Sequence, residues 1–240
     1  MVTRALFAIS LGILSISALA GELRETVEAP GQDFFWEIHT TVCEDLDAPD
    51  AEAIPSCQIA VETAKQFGSS DPRLARSLSN LTVRQPLDLD SEEQMIMHAL
   101  ETWRQARLLG KYDPVPTGPL SGLASLRSRQ NRSEDAIAAY REAIDVGIEQ
   151  LGERHVEVAG LRALLGVELK KSGRLQEASE VFSGCFDGAS RQTTRHWEMG
   201  LRLARLCARF LGEISQNEGR IQDAERYFWL EKKYAPDQSE

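Results

Sequence analysis

Apolar residues recur at helical spacing along most of the chain, in runs broken by glycine, proline or a charged cluster. The stretch from Gly152 to Phe186 shows the unit most plainly. Val158, Leu161, Leu165 and Leu169 form one apolar stripe, and Leu175, Ala178, Phe182 and Cys185 form a second. Between them Lys170, Lys171, Ser172 and Gly173 supply late positive charge and a residue that accepts a left-handed backbone. The pattern predicts two helices joined by a tight turn. Upstream, the same reading predicts a helix capped by Asp33 that carries Phe34, Phe35, Trp36, Ile38 and Val42, an acidic connector from Glu44 to Ala53, and a helix from Pro55 to Phe67. Asp71 to Val83 and Ser91 to Leu109 predict a further pair, with Gln85 to Asp90 as an extended turn between them. The fold class is all-α, built of antiparallel helix hairpins.

These hairpins keep a register. Pro30, Pro72 and Pro114 lie 42 residues apart, and Val156 takes the next place. Asn131-Arg132 precedes Gly173-Arg174 by the same step, as Ala136 precedes Ala178 and Tyr140 precedes Phe182. Gly219-Arg220, Ala224 and Phe228 follow after 46. Small residues in the first helices agree, because Ala124, Gly166 and Gly212 each stand 12 before the later alanine.

A leucine and a small residue within the first helix, then a turn glycine, an alanine and an aromatic, resemble the tetratricopeptide repeat. Leu165, Gly166, Gly173, Ala178 and Phe182 fit that pattern, as do Leu211, Gly212, Gly219, Ala224 and Phe228, followed by Pro236. Leu123, Ala124, Ala136 and Tyr140 fit it less fully. The long spacing is similar to the kinesin light chain type of the family. The resemblance implies an α-solenoid, a right-handed superhelix whose first helices line a concave groove that binds a protein or peptide. It divides the chain into degenerate helical repeats over 33–112, tetratricopeptide-like repeats over 113–237 and a tail over 238–240. Each hairpin alone buries only part of its apolar surface, so neighbours must stack. Gly166 and Ala178 let two backbones approach with Phe182 beside them, and a larger side chain at Gly166 is expected to cost about 1–3 kcal/mol by overpacking.

Composition adds limits. At 42% hydrophobic and 27% charged the chain is ordinary for a soluble protein, and its formal charge of -10 speaks against a general nucleic-acid binder. Met1 to Ala20 departs from the rest: Arg4 precedes an apolar run from Ala5 to Ile16, closed by Ala18-Leu19-Ala20. This reads as a secretory signal peptide over 1–20, cleaved before Gly21 and followed by a polar lead-in over 21–32. The alternative is an uncleaved anchor, the one case in which a membrane enters. A secreted or periplasmic location makes Cys43, Cys57, Cys185 and Cys207 candidate disulfides. Of three possible connectivities, Cys43 with Cys57 would bridge the first connector and Cys185 with Cys207 would tie one repeat to the next.

No motif for chemistry emerges. His39, His98, His155 and His196 form no metal pattern, and there is no nucleophile elbow, Walker loop or dinucleotide fingerprint, so neither metal nor cofactor is expected. His155 and His196 fall at helix starts, where a structural role is favoured. Trp36, Trp103, Trp197 and Trp229 lie among apolar residues and read as packing residues. One charge pattern stands out: Arg195, Arg202, Arg205 and Arg209 lie on the first helix of the last repeat, the last three at i, i+3 and i+7. Arg129, Lys170 and Lys171 occur at the ends of other first helices. With first helices facing inward, these residues predict a positive groove for an acidic segment or a C-terminal carboxylate, against the plainer reading of a solvated face. The leading function is therefore an exported, non-enzymatic scaffold. A membrane-anchored assembly factor using the outer surface comes second, and an enzyme with an unrecognised site third.

Overall fold

The structure is a computed structural model that describes residues 31–45, 47–111, 117–192 and 197–235. The expected signal peptide, nearly all of the lead-in, Pro114, Arg195, His196, Pro236 and the tail lie outside these residues. So does the boundary placed between 112 and 113. Ten α-helices and no strand occur among the described residues: α1 (Gln32–Glu44), α2 (Asp50–Lys65), α3 (Pro72–Arg84), α4 (Leu89–Leu108), α5 (Gly118–Arg129), α6 (Ser133–Leu151), α7 (Val156–Lys171), α8 (Leu175–Ser190), α9 (Trp197–Asn217) and α10 (Ile221–Lys233).

The last three hairpin turns share one chemistry, whereas α1 and α3 end in extended residues at Asp45 and Gln85. Asn131 (φ 59°), Gly173 (φ 75°) and Gly219 (φ 74°) hold the left-handed conformation. In each turn the next residue's N–H closes the preceding helix: Arg132 onto the Arg127 carbonyl, Arg174 onto that of Leu169 and Arg220 onto that of Ser215, all at 2.9 Å. This six-residue closure satisfies a carbonyl that would otherwise lack a partner at the helix end. Gly110 (φ 70°) ends α4 in the same way, with Lys111 N–H bonded to the Ala106 carbonyl.

Helix starts were less legible. Gly31, not Asp33, precedes α1, and Asp33 pairs with Arg73 instead of capping. Helix α2 begins at Asp50, well before Pro55, which sits inside it. Proline favours the first turn, but here Asp50 and Glu52 complement the helix dipole, and Ala53 is wholly buried. The acidic connector thereby shrinks to the residues between Glu44 and Asp50. Helix α4 starts two residues earlier than Ser91 because the Asp88 carboxylate accepts from the N–H groups of Asp90 (3.1 Å) and Ser91 (2.9 Å).

Each helix packs on its sequence neighbours, and α1 with α3, α3 with α5, and α7 with α9 also touch. No comparable contact joins two second helices, so α1, α3, α5, α7 and α9 form one layer and the second helices another. One apolar core runs through the stack from Ala75 to Ile214, and a smaller one joins Val61, Leu74 and Leu78 near the N-terminal end. Gly166 and Gly212 lie against Phe182 and Phe228, where an added Cβ would stand 2.6 Å from a ring carbon in both cases. Phe182 in turn stacks on Phe210 of the next repeat at 4.8 Å. Both cysteine pairs suggested by the sequence stand at disulfide distance: Cys43 with Cys57 at 1.97 Å, and Cys185 with Cys207 at 2.03 Å. The first clips α1 to α2, and the second clips α8 to α9.

Candidate functional site

The repeat register sorts the surface of the first-helix layer. Ile38 and Leu164 occupy one register position and are 42% and 48% exposed, while Val83 and Val167 occupy another and are 74% and 41% exposed. Aliphatic side chains therefore stand in solvent at one matching place on α1 and α7 and at another on α3 and α7, with Asn80, Gly122 and Ser125 at the places between. Arg129 and Lys171 share a third position, at the ends of α5 and α7. Each is tied to a buried carboxylate while remaining half exposed: Arg129 pairs with Glu92, and the Lys171 ammonium lies 3.6 Å from Glu168. Lys171 also donates to the Ser128 carbonyl at 3.1 Å. Burial pushes the Glu168 carboxyl up, but the hydrogen bonds from Ser128 and Ser133 and the Lys171 charge outweigh it, so it lies below the usual Glu value. Buried Tyr140 is pushed up to about 12, first by desolvation and then by the Glu168 charge.

The six cations expected to line one groove do not share one surface. Lys170 bridges α7 and α9 through Glu213 (2.5 Å) and lies 4.7 Å from the centre of the Phe210 ring. Arg209 reaches the same carboxylate at 3.2 Å. Arg202, Arg205 and Arg209 correspond in register to Val156, Ala159 and Ala163 of α7, all of which are buried. Ala159 packs with Ala189 and Ala204, which places its side of α7 against α9. Arg202 and Arg205 consequently line the C-terminal end of the stack beside Tyr234, whereas Arg209 turns to Glu213 and Phe210, which share register positions with Val167 and Leu164. A cleft of about 600 Å³ opens there between Trp197, Glu198, Leu201, Arg202, Arg205 and Tyr234. No ion pair forms on Arg202 or Arg205 among the described residues.

The tryptophans divide as well. Trp103 is buried, and half-buried Trp36 donates its indole N–H to Ser77 at 2.9 Å, as packing residues do. Trp197 and Trp229 are 51% and 60% exposed, which corrects their reading as packing residues. The register carried that signal for Trp229, since its counterpart Ser183 is exposed too. His155 is structural as expected: its Nδ1 accepts the Glu157 N–H at 3.3 Å and caps α7. Among the described residues no group of three His, Cys, Asp or Glu could hold a metal ion, and no helix is long and apolar enough to cross a membrane.

Stacked hairpins, recurrent left-handed turns and small residues facing aromatics define a tetratricopeptide-like α-solenoid. Solved structures share this fold. PilF of Pseudomonas aeruginosa matches with a TM-score of 0.57 at 16% identity, over 87% of this chain and 80% of that one. A Podospora anserina kinesin light chain-type protein with nearly identical TPR-like repeats matches at 0.52 and 15% identity, over 83% and 92%. Aspartyl phosphate phosphatase F of Bacillus subtilis matches at 0.55 and 16% identity, over 85% of this chain and 59% of that one. No family model and no curated protein sequence matches the chain. At these identities the likeness is one of fold.

Proposed function

We propose that the protein is an exported, non-enzymatic scaffold that holds a segment of a partner protein along the inner layer of first helices. The observation that carries this reading is the exposure of Ile38, Val83, Leu164 and Val167 at repeating register positions. A merely solvated helix face gains nothing from exposed aliphatics, whereas apolar contacts spread over several first helices suit an elongated ligand. Arg129 and Lys171 give the same layer positive charge in half-exposed positions, which suits an acidic segment or a C-terminal carboxylate. The solenoid fold supports a protein partner by analogy with architecture. Export is supported by the Met1–Ala20 leader and by two cysteine pairs placed for disulfides.

The test is photo-crosslinking in the producing cell, with a photoreactive residue at Leu164 or Val167 and, as control, at Ser183 on a second helix. Discrete adducts at the inner positions, in the exported fraction, are the expected result. Leu164→Asp with Val167→Asp should then weaken the purified complex by roughly tenfold or more while far-UV circular dichroism is unchanged. Adducts at Ser183 alone, in a membrane fraction, would replace this reading with that of an anchored assembly factor working through its outer surface.

A further inference from the structure

We infer that the C-terminal end of the stack is a second binding surface, which receives an acidic amphipathic helix of a partner protein in the place of a next first helix. This surface is separate from the inner layer, and its argument does not rest on ligand binding there. Its geometry follows from internal comparison. On α7 the side that holds Val156, Ala159 and Ala163 is buried, and α9 meets it at Ala159, which shares a buried cluster with Ala204, and beside it at Gly160, which faces Leu203. In the last repeat the corresponding side of α9 holds Arg202, Arg205 and Arg209, and no helix covers it among the described residues.

A solenoid end needs a polar face to stay soluble, and part of this one meets that need. Cys185 and Phe186 of α8 have Glu231 and Lys232 as counterparts in α10. The remainder is not cap-like. Trp197 is 51% exposed and, with Leu201 and Tyr234, lines a cleft of about 600 Å³. Arg202 and Arg205, one helical turn apart, flank it without an ion pair among the described residues, whereas Arg209 is already held by Glu213. A cleft whose apolar lining of Trp197, Leu201, Tyr234 and Ala235 is shared by Glu198 and by two guanidinium groups unpaired among the described residues selects an apolar stripe bordered by carboxylates at i and i+3 or i+4. Its place in the stack is one that a helix occupies at the preceding interface, which is why the ligand is a helix and not an extended strand.

The experiment uses the full mature chain and a labelled, end-blocked synthetic helix of about 18 residues, with Leu and Ala on one face and paired Glu beside it. A control peptide carries Gln at the Glu positions. Fluorescence anisotropy should show binding of the acidic peptide, a loss of roughly tenfold or more for the Gln control, and a similar loss for R202Q/R205Q. R129Q/K171Q, on the inner layer, should bind the acidic peptide as the wild type does, so failure of the groove reading leaves this result untouched. R202E/R205E should instead prefer a peptide with Lys at the Glu positions, an outcome that a misfolded variant cannot give. Equal affinity for the Glu and Gln peptides, or no binding, overturns the inference. So does tighter binding after truncation at Ala235, which would make the chain's own residues 236–240 the occupant. Concentration-dependent dimerisation that R202E/R205E abolishes would assign the surface to a second copy and likewise overturn it.

Discussion

Replacing Gly166 with alanine adds one methyl group at the closest approach inside a repeat. Its carbon would lie 2.6, 2.7 and 2.8 Å from three carbons of the Phe182 ring, against about 3.5–4.0 Å for a relaxed contact. The ring would have to retreat by about 1 Å. It has little room to do so, being wholly buried and stacked on Phe210 with centroids 4.8 Å apart. Overpacking of this kind costs about 1–3 kcal/mol. Alanine returns about 1 kcal/mol of helix propensity relative to glycine, so the net loss is expected at up to about 2 kcal/mol. For a chain of this size that lowers Tm by up to about 8 °C. The control is Gly122→Ala, where the nearest atom is Ile96 Cγ1 at 3.7 Å, an ordinary contact. It should be neutral or stabilising by up to about 1 kcal/mol. Urea denaturation followed by far-UV circular dichroism measures both variants. Phe182→Leu in the Gly166→Ala background should cost less than the sum of the two single changes. If Gly166→Ala proves as stable as Gly122→Ala, the close approach does not hold the repeat together.

Three further outcomes follow. The unreduced protein, denatured, should show no titratable thiol, and Cys185→Ser with Cys207→Ser should cost about 3 kcal/mol by the chain-entropy estimate for a separation of 22 residues. Glu168→Gln should flatten the acid limb of the stability profile. A carboxylate held below its usual range contributes stability that is fully present at neutral pH and lost as pH falls through its folded value, so the difference from wild type should shrink as acid unfolding proceeds. N-terminal sequencing of the exported protein should begin at Gly21, and an intact Met1 there would favour the anchored alternative.

What the sequence made legible is what repetition makes redundant. The turns at Asn131, Gly173 and Gly219 need a left-handed residue whatever the neighbours do, and their spacing marks the hairpins without reference to packing. Gly166 and Gly212 pair with Phe182 and Phe228 in the same way, so one copy corroborates the other. Helix starts were less readable because they depend on competing local bonds. Asp33 has the chemistry of a cap, yet its carboxylate is taken by Arg73, forty residues further on. Pro55 resembles a first-turn residue, yet the burial of Ala53 and the disulfide at Cys57 hold α2 together around it. Exposed Phe34 and Phe35 carry the same lesson: apolar spacing shows which face a helix could bury, not whether anything covers it.

The arginines of α9 make the distinction sharpest. Spacing at i, i+3 and i+7 establishes a stripe, and a stripe has a direction only relative to its neighbours. Taken alone, α9 offered two exposed sides and the resemblance favoured the inner one. Taken against its earlier copy, α9 is better defined, because Val156, Ala159 and Ala163 at the matching positions are all buried and Ala159 clusters with Ala204 of the helix that follows. The change from small apolar residues to arginines at those three places is therefore a change of interface. Such a surface must exclude a further tight stacking partner of the α9 kind, since large guanidinium groups cannot take the place that Ala159 holds in a buried cluster with Ala189 and Ala204. What it admits instead has to stand further off and bring carboxylates. In a solenoid, where each repeat is specified by contacts to its neighbours, the last repeat is the one place where such a substitution can create a site without breaking the stack.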